Sequence, residues 1–266
     1  MLKHILIILI SINLQLLAQF QPGSRQNAMG FAFTSIADDH WSLFYNPAGI
    51  SKIKNLDAGI YFSPAPFGLK ELATGSAVIT KKFSFGNIGL GFQYFGFELF
   101  RENKISIAYA KSLFPEFQFG IKITYNALNI ANYGNDYSIG IDFGILTTLS
   151  DALQLGFAAT NLNRPTYGVN KEKLKQNFSG GISYKPLDNF LISLELEKEV
   201  RYPFNFKAGL EYFIIKYLAL RFGFNTEPDN FTGGIGISYS KFQFNYSFIS
   251  HNYLGLTHSF GIDFNF

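Results

Sequence analysis

The stretch FQFNYSFIS at 242–250 puts Phe242, Phe244, Tyr246 and Phe248 on one side of an extended chain and Gln243, Asn245 and Ser247 on the other. Successive side chains of a strand point to opposite faces, so this two-residue period specifies a strand with one apolar and one polar face. HSFGIDFNF at 258–266 repeats it, with Phe260, Ile262, Phe264 and Phe266 opposite Ser259, Gly261, Asp263 and Asn265. FQFGIKITYN at 117–126 does the same, as do YSIGIDFGI, LQLGFAAT, FSGGISY, ISLELE, FNFKAGLEY and LALRFGFN. Less regular runs near 56–62, 74–80, 87–95, 104–110 and 232–240 bring the expectation to about fourteen strands, an even number as in single-chain outer-membrane barrels.

The question is which face meets water. Charged residues make up 15 % of the chain, below the roughly 25 % of an average soluble domain. Aromatics reach 18 %, yet the mean hydropathy is only +0.10, far too low for a bundle of apolar spanning helices. The few charges within strands, Lys122, Asp142, Glu195, Lys207, Glu211, Arg221 and Asp263, all fall on the polar phase. Arg or Lys on a lipid-facing wall would cost about 2–4 kcal/mol at mid-depth, so confinement to one phase fits a polar lumen inside an apolar wall. A soluble sandwich would have to pack a bulky aromatic face from every strand into one core.

Connections are expected to alternate between tight turns (KKFSF, SLFP, TLSD, KPLDN, IKY and SK) and longer loops, the longest being NLNRPTYGVNKEKLK. That asymmetry belongs to barrels with short periplasmic turns and longer extracellular loops. The last strand ends on Phe266 and can pair with the first, leaving no open edge. The opening residues MLKHILIILISINLQLLAQ join a cationic start to an apolar run from Ile5 to Leu17. They predict a signal peptide over 1–19, cleaved after Ala18 or Gln19, with an uncleaved anchor as the alternative. The expected organisation is signal peptide 1–19, N-terminal hatch 20–54 and transmembrane barrel 55–266. Cysteine is absent, which excludes disulfides and thiolate metal sites. The formal charge of +3 comes without clustered basic runs and argues against a nucleic-acid partner.

Asp38, Asp39 and His40 could be read as metal ligands or acid–base groups, but the remaining histidines beyond the leader, His251 and His258, show no metal spacing. GNIGLGF (86–92) and GGIGISY (233–239) resemble nucleotide loops only superficially, since neither opens a helical pattern and their glycines sit at strand spacing. A barrel lipase would need a Ser/His pair, and adjacent His258 and Ser259 point to opposite faces of one strand. No catalytic residue, cofactor or metal site is therefore expected. Arg164, Lys171, Lys173, Lys175 and Tyr167 could form a basic lid that attracts lipopolysaccharide phosphates, or a solvated loop. Asp38 or Asp39 suits the N-cap of a short helix through Trp41, Leu43 and Phe44, ended by Pro47 and Gly49. Such a turn could fill a lumen, with its aspartates paired to Arg221, Lys122 or Lys207.

Residues 23–51 carry Ser24, Arg25, Met29, Gly30, Ala32 and Phe33, then Ala37-Asp38-Asp39, then Asn46-Pro47-Ala48-Gly49. The closing stretch YLGLTHSFGIDFNF (253–266) carries Leu254, Gly255, Thr257 and His258. Together these resemble the N-terminal signature and the ending of FadL-like outer-membrane barrels, especially the PorV/PorQ group. The resemblance implies a fourteen-stranded barrel with an N-terminal hatch formed by Asp38, Asp39, Trp41, Phe44, Asn46, Pro47 and Gly49. It implies one of two functions: a non-catalytic accessory of type IX secretion, or a passive channel for fatty acids or other hydrophobic molecules. The short chain lacks the large loops that build a ligand groove in FadL-like transporters and leaves little surface for gripping cargo. Expected partners are outer-membrane lipid and lipopolysaccharide, the barrel-assembly machinery, and secretion-system proteins or a hydrophobic ligand.

Overall fold

A computed structural model describes residues 21–168, 171–251 and 253–266. The expected signal peptide lies outside the described residues. From Leu56 onward the described residues form sixteen strands: β1 (Leu56–Ser63), β2 (Thr74–Phe83), β3 (Gly86–Phe97), β4 (Phe100–Phe114), β5 (Phe117–Ile130), β6 (Gly134–Ser150), β7 (Leu153–Thr160), β8 (Thr166–Tyr167), β9 (Glu172–Lys173), β10 (Asn177–Leu187), β11 (Phe190–Glu199), β12 (Phe204–Ile215), β13 (Leu218–Thr226), β14 (Asp229–Tyr239), β15 (Phe242–His251) and β16 (Gly255–Asn265). Fourteen of them close into one antiparallel barrel; β8 and β9 form a separate ribbon within the β7–β10 connection. Closure is made by β1 against β16, where Phe62 faces Phe260, Ile60 faces Ile262 and Ala58 faces Phe264. Every backbone ladder is thereby paired, as a wall standing in hydrocarbon requires.

The alternation sorts the side chains as its period demands. Ile105, Ile107, Ile121, Ile123, Phe206, Phe222, Phe244 and Phe260 face outward and are exposed. Lys122, Asp142, Glu195, Lys207, Glu211, Arg221 and Asp263 face inward and are buried. Neighbouring positions thus differ sharply: Lys122 is 7 % exposed and Ile123 is 47 % exposed. Lys122 is answered by Asp142 at 2.7 Å, whereas a lysine at 123 would face lipid with no partner. Ile123→Lys is expected to destabilise the barrel by about 2–4 kcal/mol, measured by denaturant unfolding in lipid bilayers. A loss below the error of that measurement would contradict a lipid-facing exterior.

At the end carrying Leu56 and Phe266, all six turns have two residues (84–85, 115–116, 151–152, 188–189, 216–217 and 240–241). The opposite end is less uniform than expected. Only 64–73 and 161–176 are long, while β3–β4, β5–β6, β13–β14 and β15–β16 turn in two or three residues. GFELFREN and NIANYGN look like loops because Gly, Asn and charges interrupt the alternation. Their strands nevertheless continue, since those polar side chains lie at the rim where no lipid excludes them. The long connection is tied down: Lys175 reaches Glu197 at 3.4 Å, and Asn163 donates to the Ile139 carbonyl at 2.7 Å. Lys171 and Lys173 stay exposed.

Candidate functional site: the filled lumen

Residues 21–53 lie inside the barrel. They form a one-turn helix α1 (Ser24–Ala28), a second turn α2 (Ser42–Tyr45) and a 3-10 turn at Pro47–Lys52. Helices of four or five residues have no independent stability, so the wall holds the segment's shape. Its apolar side chains, Met29, Phe33, Ile36, Trp41, Leu43, Phe44 and Ile50, form a buried cluster with Tyr61 and Val78 of the wall. Lys122 sits over the Phe44 ring at 5.9 Å.

Polar fastening runs in a ring that begins and ends on the segment. Arg25 Nη1 donates to Asp38 at 2.6 Å and Asp39 at 3.1 Å. Its Nε and Nη2 donate to both Glu211 oxygens at 2.9 and 2.7 Å, the two-pronged geometry that makes Arg–carboxylate pairs strong. Glu211 also accepts from Arg221 Nε at 2.6 Å, and Arg221 Nη1 donates to Asn245 Oδ1 at 2.6 Å. Asn245 donates to Asp263 at 2.7 Å. Asp263 then accepts from Trp41 Nε1 at 2.8 Å and meets His40 Nε2 at 2.9 Å, back on the segment. Arg221 on β13 reaches Asn245 on β15 by crossing β14, where Gly236 leaves the space: a Cβ there would stand 2.6 Å from Arg221 Nη2. Burial alone would lower the His40 pKa, but the Asp263 hydrogen bond and the charges of Asp263 and Asp39 raise it above its ordinary value.

Elsewhere the wall hydrogen-bonds the segment's backbone. Thr232 donates to the Ala28 carbonyl at 2.9 Å and accepts from Gly30 N at 3.0 Å. Glu195 accepts from Thr34 N at 2.8 Å while holding Lys207 at 3.0 Å. Asn87 donates to the carbonyls of Ile50 and Ile53 at 2.7 and 2.8 Å. Asn46 donates to Thr34 O and Ile145 O at 2.8 and 2.9 Å. These wall groups, with Asn46 of the segment itself, satisfy backbone that would otherwise be buried without partners.

Glycines on the inward phase let the segment approach this closely. Cβ atoms at Gly120, Gly144, Gly156, Gly209 and Gly223 would collide with Pro47, Asn46, Thr34, Met29 and Gly30 respectively. The segment answers in kind at Gly30, whose φ of +62° suits glycine and whose Cβ would stand 2.6 Å from Phe224 N.

The expected residues fall as follows. Asp39 meets the capping expectation in altered form: its Oδ1 accepts from Trp41 N at 2.9 Å, but the N-cap of α2 is Trp41, which makes no side-chain cap. The aspartates do not pair with Arg221, Lys122 or Lys207. Their cation is the segment's own Arg25, because Lys122 and Lys207 are engaged by Asp142, Glu195 and Glu197 and Arg221 by Glu211. Pro47 ends the helix as expected: α2 stops at Tyr45, and Asn46, the residue before proline, is extended. Gly49 takes no part in that ending; it lies inside the 3-10 turn that Pro47 opens, where Asn46 caps Ala48 N at 3.2 Å. Phe44 packs against Trp41 at 6.0 Å between ring centres. His258 is exposed and bonded to Tyr246 Oη at 2.8 Å, while Ser259 points inward to Ser247. Arg25 as the hub and Asn87 and Thr232 as fasteners were missed; inward-phase glycines recurring on strand after strand were the readable signal.

Beside the segment, at the turn end, lies a cavity of ≈ 460 Å³. It is bordered by Arg25, Ile36, Asp38 and Lys52 of the segment and by Gln154, Leu191, Glu211 and Phe213 of the wall.

The geometry defines a class: a closed fourteen-strand barrel with an apolar exterior and an N-terminal segment seated in its lumen. No protein-family model matches the chain, and no curated protein does. Among solved structures it is similar to the ΔS2S3 mutant of the TodX monoaromatic hydrocarbon channel, with a TM-score of 0.70 and 12 % identity over 92 % of this chain and 99 % of that one. The CymD monoaromatic hydrocarbon channel gives 0.69 and 11 % over 92 % and 97 %. A Pseudomonas aeruginosa FadL homologue gives 0.62 and 10 % over 92 % and 98 %. Likeness at these identities speaks to the fold alone.

Proposed function

We propose that the chain is an exported outer-membrane barrel acting as a passive conduit for small hydrophobic molecules, with residues 21–53 as its hatch. One observation carries this reading: the lumen is filled by a segment fastened largely by polar groups. Hydrogen bonds exchange with water at a net cost of about 0.5–1.5 kcal/mol each, so such a fastening can let go while the wall stays paired. The fold shared with hydrocarbon channels supports the choice of solute. In this reading the two-residue turns face the periplasm.

The chain has no cysteine, and Ser24 Oγ on the hatch lies 3.5 Å from Ser259 Oγ on β16. A Ser24→Cys/Ser259→Cys variant therefore offers a removable lock. Cells expressing it are expected to take up toluene or oleate several-fold faster when the pair is reduced than when it is oxidised. Equal uptake in both states and in cells without the barrel would overturn the conduit.

A second reading is a PorV/PorQ-type accessory of type IX secretion. It is favoured by the polar lining between hatch and loop end, where Ser76, Ser106, Thr124, Asn126 and Ser138 are buried inward and offer an apolar solute little. Co-purification with secretion-machine proteins, together with absent uptake, would select it.

A further inference from the structure

The turn-end cavity holds a cation whose charge has no carboxylate partner among the described residues. Lys52 Nζ donates to the Ile36 carbonyl at 3.2 Å and to Gln154 Oε1 at 2.8 Å. An ammonium carries three donors, so one donor is unspent, and Asp38, already held by Arg25, favours the charge only from beyond ion-pair distance. Four carboxylates border the same space, but three are already answered: Asp38 and Glu211 by Arg25, and Asp188 by Lys185 at 3.7 Å. Asp151 stands exposed in its turn. Ile36, Leu153, Leu191 and Phe213 supply an apolar flank. A volume of ≈ 460 Å³ is within the range of small-molecule sites.

We propose that this cavity binds a small organic carboxylate, with its anionic head on Lys52 and its apolar body against Ile36, Leu153, Leu191 and Phe213. As a solute site it rests on the conduit reading and narrows the solute class from small hydrophobic molecules in general to acids with a compact apolar body. As a binding site it stands on the cavity alone. Because Lys52 also ties Ile36 of the hatch to Gln154 of β7, the bound acid sits on one of the hatch's own fasteners. An acid that draws Lys52 toward itself removes that tie and leaves Gln154 Nε2 on the Ser35 and Ile36 carbonyls.

Calorimetric titration of the purified full chain with benzoate, benzamide and inorganic phosphate tests this at fixed ionic strength. Benzoate is expected to bind saturably, at least tenfold tighter than benzamide, which lacks the charge, or phosphate, which lacks the apolar body. Lys52→Gln is expected to weaken benzoate at least tenfold, Lys52→Arg to keep most of the affinity, and Lys185→Gln to change it less than twofold. Heat-modified gel mobility confirms that each variant is closed. Equal binding of benzoate and benzamide, phosphate matching benzoate, or a larger loss in Lys185→Gln than in Lys52→Gln would overturn the site. Benzoate binding is read without transport, so failed uptake in the lock experiment removes the conduit and leaves the site standing. Retained uptake without benzoate binding removes only the site.

Discussion

Arg25→Ala is expected to turn a sealed barrel into a leaking one. The guanidinium holds two carboxylates of its own segment and both oxygens of Glu211, so its loss cuts the ring where the segment grips β12. Glu211 keeps Arg221 at 2.6 Å, and the wall should remain closed. Removing one member of a buried ion pair leaves the other uncompensated and costs roughly 3–5 kcal/mol; the shared Glu211 puts the expectation at about 3. In planar bilayers the parent should show rare brief openings and the variant sustained conductance. Glu211→Gln should be worse, because it leaves Arg25 and Arg221 facing each other without their common anion. A silent Arg25→Ala, sealed and equally stable, would mean that packing of Trp41, Leu43 and Phe44 alone seats the segment.

Gly223→Val attacks the same seating without touching a charge. A side chain at 223 would drive into the backbone of Met29 and Gly30, and neither β13 nor the segment has slack there. Thr232 already brackets Gly30 from the neighbouring strand, donating to Ala28 O and accepting from Gly30 N. The wall is continuous through Gly209↔Gly223 and Gly223↔Thr232, so the expected result is expulsion of the segment from an intact barrel. Protease should then cut between residues 21 and 53 at least tenfold faster while gel mobility still reports a closed barrel. Gly180→Ala is the control: a Cβ there meets nothing within 4 Å and should change neither readout. Unchanged cleavage in Gly223→Val would show that the approach can relax.

The barrel was legible because its instruction is local. A two-residue period over ten positions needs no knowledge of distant partners, and Lys122 beside Ile123 already tells which face is wet. Rim positions were harder, as Arg101 in β4 shows, because where lipid stops the alternation is no longer enforced. The fastening ring was hidden for another reason. Arg25 finds Glu211 across 186 positions and His40 finds Asp263 across 223, and nothing in a run of sequence names such a partner. Asp38-Asp39-His40 therefore reads as a chemical cluster, although its aspartates are held by Arg25 of the same segment and its histidine by Asp263 of the closed wall.

One of those contacts has a bearing on the order of assembly. Asp263 lies on β16, the strand that closes the barrel against β1, and both His40 and Trp41 are anchored to it. The segment precedes every strand of the wall, yet this handhold is on the strand that shuts the seam with β1. Contacts this remote in sequence form late, since the intervening chain must be ordered before they repay it. A half-zipped sheet therefore has no finished seat for its stopper, and only a barrel whose seam has shut can be corked. Corking then doubles as proof that assembly is complete.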